Sequence, residues 1–345
     1  MKRFFLLTLA SAALLGASAA PVKTYEVKSP DGRLALVLTA GERLSFTVAR
    51  DGETLVAPSE MALTLSTGEV LGESPRVRSA RRRAVTETID APLYRQSRFD
   101  AAYNELDLRL RGDYGILARA YDDGVCYRFY TERDGELTIV DETAQLNFEG
   151  DPSAYIPYSK TEIPMRTSFE NTYEYAPLSK FRTQTVAFMP VLVDLGERGY
   201  VLYTESDVEA YPGVYLTYDK EAKGFAARFA ECPTETSLTK RFQDVVERSA
   251  DYIARVDGRR SYPWRIVAYA ATATELPVND MVWQTAEASR VADASWVRDG
   301  KIAWDWWNNW GVYGVDFKSG INTETYKYFI DFAAANGIEY VAQQS

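Results

Sequence analysis

The chemistry open to this chain is bounded first by a missing residue type: none of its 345 residues is histidine. That excludes Ser-His-Asp and Cys-His nucleophile systems, His-ligated zinc, copper or haem, and imidazole acid/base work near neutral pH. Carboxylates, Tyr, Lys or a hard, oxygen-bound cation must carry any reaction. Two segments gather such groups. Trp304, Trp306, Trp307 and Trp310, four of the seven Trp, interleave with Asp305, Asn308 and Asn309. Indole faces stack on the C–H faces of pyranose rings, while carboxylates and amides exchange hydrogen bonds with sugar hydroxyls. The same indoles would equally fill a core between two domains. The second segment, Phe169-Glu170-Asn171-Thr172-Tyr173-Glu174-Tyr175, offers carboxylates of the kind Ca²⁺ prefers. By itself it reads more simply as acids on a surface loop.

The elements that must position these residues are mostly strands. Hydrophobic residues make up 46% of the chain and charged residues 26%, enough apolar material for a large core, and the 13% of aromatics suits β-structure. Leu34, Leu36 and Leu38 alternate with Ala35 and Val37; Leu44, Phe46 and Val48 alternate again up to a turn at Asp51-Gly52. Leu106 to Leu110, Ile116 to Tyr121, the turn Asp122-Asp123-Gly124 and Val125 to Tyr130 repeat the pattern, as do Val186 to Leu195, Tyr200 to Thr204 and Trp264 to Ala270. Many short strands without helical periods between them predict a large antiparallel sandwich over residues 20–274. From residue 275 the character changes. Pro277 marks an early helical position, Lys301 to Trp307 alternates like a strand, and Thr323 as N-cap opens a helical run with Tyr328, Phe329, Phe332 and Ala333 on one face. Asn336-Gly337 stops it, and Ile338 to Val341 begins another strand. Strand, crossover helix and strand make the repeat of a parallel barrel. A (β/α)₈ barrel takes on the order of 200 to 250 residues, so residues 275–345 are expected to be a linker and an incomplete barrel start.

Lys2, Arg3, the apolar run from Phe4 to Leu15 and the small residues Gly16 to Ala20 read as a secretory leader over residues 1–19, cut after Ala19. The junction carries no Cys, so a lipoprotein is not indicated, and an exported, periplasmic protein is expected. No later stretch is apolar and long enough to span a membrane. The chain holds 39 Lys and Arg against 49 Asp and Glu, a formal charge of −10 that becomes −12 without Lys2 and Arg3. An acidic balance argues against nucleic acid and anionic membrane surfaces as partners. The one dense basic run, Arg81-Arg82-Arg83, reads as a solvated loop or strand end. Cys126 and Cys232 could pair after export, although Cys126 equally suits a buried free thiol.

The run Ser295-Trp296-Val297-Arg298-Asp299-Gly300-Lys301-Ile302-Ala303-Trp304-Asp305-Trp306-Trp307-Asn308, then Gly314-Val315-Asp316-Phe317-Lys318 and Asn322-Thr323-Glu324-Thr325-Tyr326-Lys327-Tyr328, closely resembles glycoside hydrolase family 97. Further matching segments are Ser29-Pro30-Asp31-Gly32, Arg119-Ala120-Tyr121-Asp122-Asp123-Gly124, Tyr211-Pro212-Gly213 and Pro263-Trp264-Arg265. The resemblance implies a β-super-sandwich of the galactose-mutarotase-like kind followed by a catalytic (β/α)₈ barrel. It implies a calcium-dependent exported α-glucosidase or α-galactosidase acting on oligosaccharides. It makes Glu174, after Tyr173, a Ca²⁺ ligand and places Trp304, Asp305, Trp306 and Asn308 at the sugar pocket. The family's carboxylate pair lies on later barrel strands, so the catalytic residues are expected beyond Ser345 and the chain as given is expected to be truncated and inactive. The other readings are a non-catalytic carbohydrate-binding sandwich module and a non-functional product of a partial gene.

Overall fold

The computed structural model describes residues 22–91, 94–159, 165, 169–239 and 244–343. The leader expected over residues 1–19 lies outside them. The chain divides into two compact units: the residues up to Asp90 with Arg98–Glu287, and Ala91–Ser97 with Ala288–Ser345.

The first unit is built of antiparallel strands. Lys23–Lys28, Leu34–Ala40, Leu44–Arg50 and the first half of Glu53–Leu65 form a meander in sequence order. Leu146–Asn147, Gly224–Phe229 and Val214–Asp219 extend that sheet. A second sheet runs Val77–Asp90, Arg98–Leu110, Tyr114–Tyr121 and Gly124–Ala144. It continues through Trp264–Ala270, Tyr200–Ser206, Val191–Asp194, Ser153–Ile156 and Glu174–Pro177. Because side chains alternate along a strand, each sheet offers one apolar face. Leu34, Leu36 and Leu38 of the first sheet join Leu106, Leu108, Ile116 and Ala118 of the second in one core. The Phe46 and Tyr127 rings meet within it, their centroids 4.9 Å apart. Two long strands tie the sheets together: Met61 to Leu65, the far end of Glu53–Leu65, pairs with Ile139 to Ala144 of Gly124–Ala144. The result is the large antiparallel β-super-sandwich that the alternation and the resemblance predict.

A charge is buried in this core at Arg265, 1% exposed. Its guanidinium donates two bonds of 2.8 Å to Glu142 and one of 2.5 Å to Glu205. Burial opposes its charge, but the two carboxylates more than offset that and hold its pKa well above the ordinary arginine value. Glu205 is itself pushed up by burial, against the pull of Arg265. Its Oε1 accepts the Val214 amide at 3.0 Å.

The outer face of the second sheet carries Tyr103, Tyr121, Cys126, Trp264, Ile266 and Ala268, closed over by Met281. A Cβ at Gly124 would run into the Met281 sulfur and stand 2.8 Å from Ala268 Cα, so only glycine lets this segment lie down. Thr285 and Ser206 hydroxyls share a 2.7 Å hydrogen bond, and the Glu287 amide donates to Asp207 at 2.9 Å. Residues 275–287 therefore belong to the sandwich unit and are not a linker, because Met281 has its apolar partners there. Arg81-Arg82-Arg83 also differs from expectation, lying inside the 14-residue strand Val77–Asp90. Arg82 donates to the Glu26 carbonyl at 2.9 Å and Arg83 pairs with Glu105 at 2.5 Å. Cys126 and Cys232 are both free thiols, and burial pushes Cys126 up to about 12.

In the second unit Ile302–Trp304 and Tyr340–Ala342 pair in parallel, with the helix Thr323–Ala335 between them in sequence. The N-cap is Asn322, one residue before the expected Thr323; its side chain accepts the Thr325 amide at 3.0 Å. The helix ends as the sequence predicts. Gly337 takes φ 64°, and the Ile338 amide turns back to the Ala333 carbonyl at 2.9 Å. Thr325 and Ala333 are its buried residues, while Tyr328 and Phe332 are 38% and 49% exposed. Among the described residues no helix is long and apolar enough to cross a membrane.

Two outcomes follow from the buried charges. Arg265→Met strands Glu142 and Glu205 in the core and should cost about 3–5 kcal/mol, read as a lower urea midpoint; a loss under about 1 kcal/mol would contradict the role given to this cluster. Asp123, against Asn279 (Nδ2 to Oδ2 3.0 Å), is raised to about 6 by burial first, then by the charges of Asp280 and Asp122. The folded chain thus binds this proton more tightly than the unfolded one, and stability falls as pH rises from about 4 to 6. Asp123→Asn should raise the thermal midpoint at pH 7.5 and give no gain at pH 4; a gain independent of pH would refute the assignment.

Candidate functional site

The tryptophan segment begins where the strand Ile302–Trp304 ends. Trp304 packs on Trp306 and Trp307, with centroids 5.5 and 6.0 Å apart. The three rings remain 40%, 48% and 80% exposed. Between them Asp305 turns the other way and is fully buried. The Tyr326 hydroxyl faces the Asp305 carboxylate and the Trp310 indole, and its pKa is raised, first by loss of water and then by Asp305. The Asn308 amide closes the following turn, donating to the Gly311 carbonyl at 2.6 Å. The chain reverses through Asn309 and Trp310 at φ 56° and 53°, a left-handed pair without glycine. Of the four residues expected at a sugar pocket, Trp304 and Trp306 thus remain partly open to solvent while packed on each other. Asp305 and Asn308 shape the turn that displays them.

Glu174 opens the edge strand Glu174–Pro177 in the other unit. Its carboxylate pairs with Arg182 at 2.5 Å, and the Arg182 guanidinium lies 4.9 Å from the Tyr158 ring centroid. Ca²⁺ takes six to eight oxygen ligands, whereas the described residues contain no group of three or more acidic or thiol side chains able to hold a metal. The described residues therefore do not fit a complete calcium site; Glu174 is a single carboxylate with a cationic neighbour. A cleft of about 1110 Å³ opens beside Tyr211, Cys232, Val245, Val246 and Ile253, with neither candidate segment in its lining.

Several motif segments prove to be partners of one another. The Asp31 amide donates to Asp122 at 2.9 Å, which joins Ser29-Pro30-Asp31-Gly32 to the turn before Gly124. Arg119 stands 4.7 Å, and Arg128 4.4 Å, from the Trp264 ring centroid. Gly213, whose Cβ would meet Glu205 Oε1 at 3.2 Å, brings Tyr211-Pro212-Gly213 against the Arg265 cluster. Glu105, Glu142 and Glu205, the carboxylates that complete these arrangements, are not distinguishable in sequence from surface acids on strands.

Comparison with known proteins gives these contacts a family context. Residues 27–287 match the family model described as Glycosyl-hydrolase 97 N-terminal, and residues 306–344 match Glycoside hydrolase 97. A retaining alpha-galactosidase of Bacteroides thetaiotaomicron is 39% identical over 327 residues, 92% of this chain and 49% of that protein. A probable retaining alpha-galactosidase of Streptomyces bingchenggensis is 29% identical over 321 residues, 90% of this chain and 44% of the relative. The chain spans about half the length of the curated relatives it matches. A solved family 97 enzyme from Pseudoalteromonas sp. strain K8, in complex with acarbose, shares the fold with a TM-score of 0.75 at 19% identity, over 92% of this chain and 46% of that one. With its sandwich matched from the first sheet to Glu287, the chain belongs to glycoside hydrolase family 97.

Proposed function

We propose that the chain is part of an exported glycosidase that cleaves α-galactosidic bonds of oligosaccharides, with α-glucosidic bonds as the alternative. The observation that carries this is the 39% identity to a retaining alpha-galactosidase over 327 residues, which include the exposed indoles. Active sites of parallel barrels lie at the C-terminal ends of their strands, and Trp304 stands at such an end. In this reading Trp304 and Trp306 stack on the apolar face of a pyranose ring. Asp305, held against Tyr326, and Asn308, bonded to Gly311, fix the angle at which the rings are presented.

Retaining cleavage needs two carboxyl groups about 5–5.5 Å apart, one as nucleophile and one as acid. Asp305 is buried beside Tyr326, and Glu339 accepts the Lys301 amide at 2.8 Å. Neither is assigned to catalysis; those roles are placed in the whole protein beyond the residues of this chain. Glu174 would lend one carboxylate to a calcium ion there, exchanging Arg182 for the metal. The leader read over residues 1–19 supports export.

The chain should bind stachyose or maltose with a change in Trp fluorescence, and Trp304→Ala/Trp306→Ala should weaken that binding about tenfold. Unaltered binding by this variant would sink the role of the indoles. The 345-residue chain should leave p-nitrophenyl α-galactoside intact with or without CaCl₂; turnover would place the carboxylate pair within the chain. When the gene is expressed with its leader in a bacterial host, the periplasmic protein should begin at Ala20, and an uncut Met1 terminus would refute the leader.

A further inference from the structure

On the sandwich, a second aromatic surface is held open to solvent at the edge of the larger sheet. Ser153–Ile156 lies between Glu174–Pro177 and Val191–Asp194, with Tyr155 opposite Tyr175 on one side and Leu192 on the other. Ala154, Ile156, Val191 and Val193 point into the core and are fully buried. Alternation therefore sends Tyr155, Tyr175, Leu192 and Asp194 to the outer face. There Tyr155 and Tyr175 remain 39% and 53% exposed, with ring centroids 4.6 Å apart and planes at 41°.

The Tyr175 hydroxyl fixes what this surface offers. It donates to Asp194 Oδ2 at 2.9 Å. Asp194 is two strands away from Tyr175, across Ser153–Ile156, so the ring must lie over the sheet instead of standing off it. The other carboxylate oxygen, Oδ1, accepts the Gly196 amide at 2.9 Å. Each carboxylate oxygen has more than one acceptor position, so Asp194 can still receive hydroxyl groups beside the ring.

We propose that Tyr155, Tyr175 and Asp194 form a second carbohydrate-binding surface on the sandwich, which stacks the C–H face of a neutral pyranose and accepts its hydroxyls at Asp194. The surface takes a glycan chain apart from the indoles of the other unit. A protein partner is the poorer occupant: a stable interface needs about 800 Å² per side, and two half-exposed rings edged by a carboxylate offer much less. The Tyr175 ring laid over the sheet, with Tyr155 beside it and an acceptor at the rim, suits one or two sugar rings. The choice of a sugar rests on the glycosidase reading above, so the test uses variants that separate the two surfaces.

The experiment titrates the purified chain with maltoheptaose and with stachyose, following heat of binding and the signals of ¹³C-labelled tyrosine rings. The Tyr155 and Tyr175 signals should move on titration. Tyr155→Ala/Tyr175→Ala should lose at least about tenfold in affinity at this surface while the chain stays cooperatively folded, since neither ring belongs to the buried core. Tyr175→Phe keeps the ring but releases it from Asp194 and should fall between. Trp304→Ala/Trp306→Ala should leave the tyrosine shifts intact. Binding lost only in the tryptophan variant would overturn this surface while leaving the proposed function standing. Tyrosine signals unmoved at millimolar glycan would overturn it as well, and a wild-type chain that binds neither sugar in either unit would sink both readings.

Discussion

The sandwich depends on one buried charge, Arg265, and on the alternation that places its neighbour Trp264 on the opposite face of the same strand. Inward, the guanidinium joins Trp264–Ala270 to Glu205, directly opposite Arg265 on the paired strand Tyr200–Ser206, and to Glu142 in the far end of Gly124–Ala144, which pairs with Glu53–Leu65. An unpaired charge at that depth would cost several kcal/mol. Two carboxylates are therefore both required: Glu205 holds the register of the two paired strands, and Glu142 ties them to the far end of Gly124–Ala144. Glu205 also takes the Val214 amide, so the corner Tyr211-Pro212-Gly213 is held by the same charge. Replacing all three charges with apolar groups could preserve stability, but it would remove the directional bonds that distinguish this register from one shifted by a residue pair.

Outward, Trp264 lies beside two arginines, Arg119 and Arg128, on a face otherwise lined by Tyr103, Tyr121, Cys126 and Ile266. Their charges are met by Glu105 and Asp207, at 2.9 and 3.4 Å. Burial works against Arg128 and lowers its pKa, with Arg119 adding repulsion. Met281 and the Asp207–Glu287 bond then bring residues 279–287 over this face. The same sheet is thus buried on both sides in its middle strands. That explains why the family-matching dipeptide Trp264-Arg265 is placed with so little freedom: each residue is fixed by a different layer.

What the sequence reveals depends on whether a residue's role is local. The alternation at Leu34, Leu36 and Leu38 is local, and the sheet could be read from it directly. The helix stop at Asn336-Gly337 is local as well. The strand Gly124–Ala144 is not. Its middle, Thr131-Glu132-Arg133-Asp134-Gly135, has the polar composition of a turn, and Arg133 to Gly135 bulge out of the ladder with the strand Ala254–Ser261, yet pairing resumes on either side, Glu132 with Arg259 and Glu136 with Asp257, because Gly258 lets that strand approach the bulge. A Cβ there would stand 2.6 Å from the Arg133 carbonyl and 2.8 Å from that of Gly135. Only the partner's sequence, some 120 residues later, decides the point. Arg81-Arg82-Arg83 reads as a loop or strand end for the same reason, since the Glu26 carbonyl and Glu105 that engage Arg82 and Arg83 are distant in sequence. The apolar helix face also shifts. Tyr328 and Phe332 belong to the expected stripe, but the two-stranded sheet covers the line through Thr325, Phe329 and Ala333.

The candidate site shows the same division. Its aromatic residues were legible because four Trp within seven positions are hard to assign to anything but a core or a sugar face. Which of them face solvent was not legible, because that is decided by Asp305. A residue directly after a strand-ending Trp304 has the composition of a ligand-binding acid, but here it is buried against Tyr326. Turning that carboxylate inward forces the next residues around it, with Trp306 and Trp307 folded back on Trp304 and the chain reversed through Asn309 and Trp310. A tryptophan at φ 53° is a costly conformation. It persists because the Trp310 amide donates to the Asp305 carbonyl at 2.9 Å and its indole faces Tyr326. The strain therefore sits behind the exposed rings and not among them. A buried carboxylate, a phenol and a left-handed turn hold the indoles in place, so the ring faces left in water are already oriented before anything binds to them.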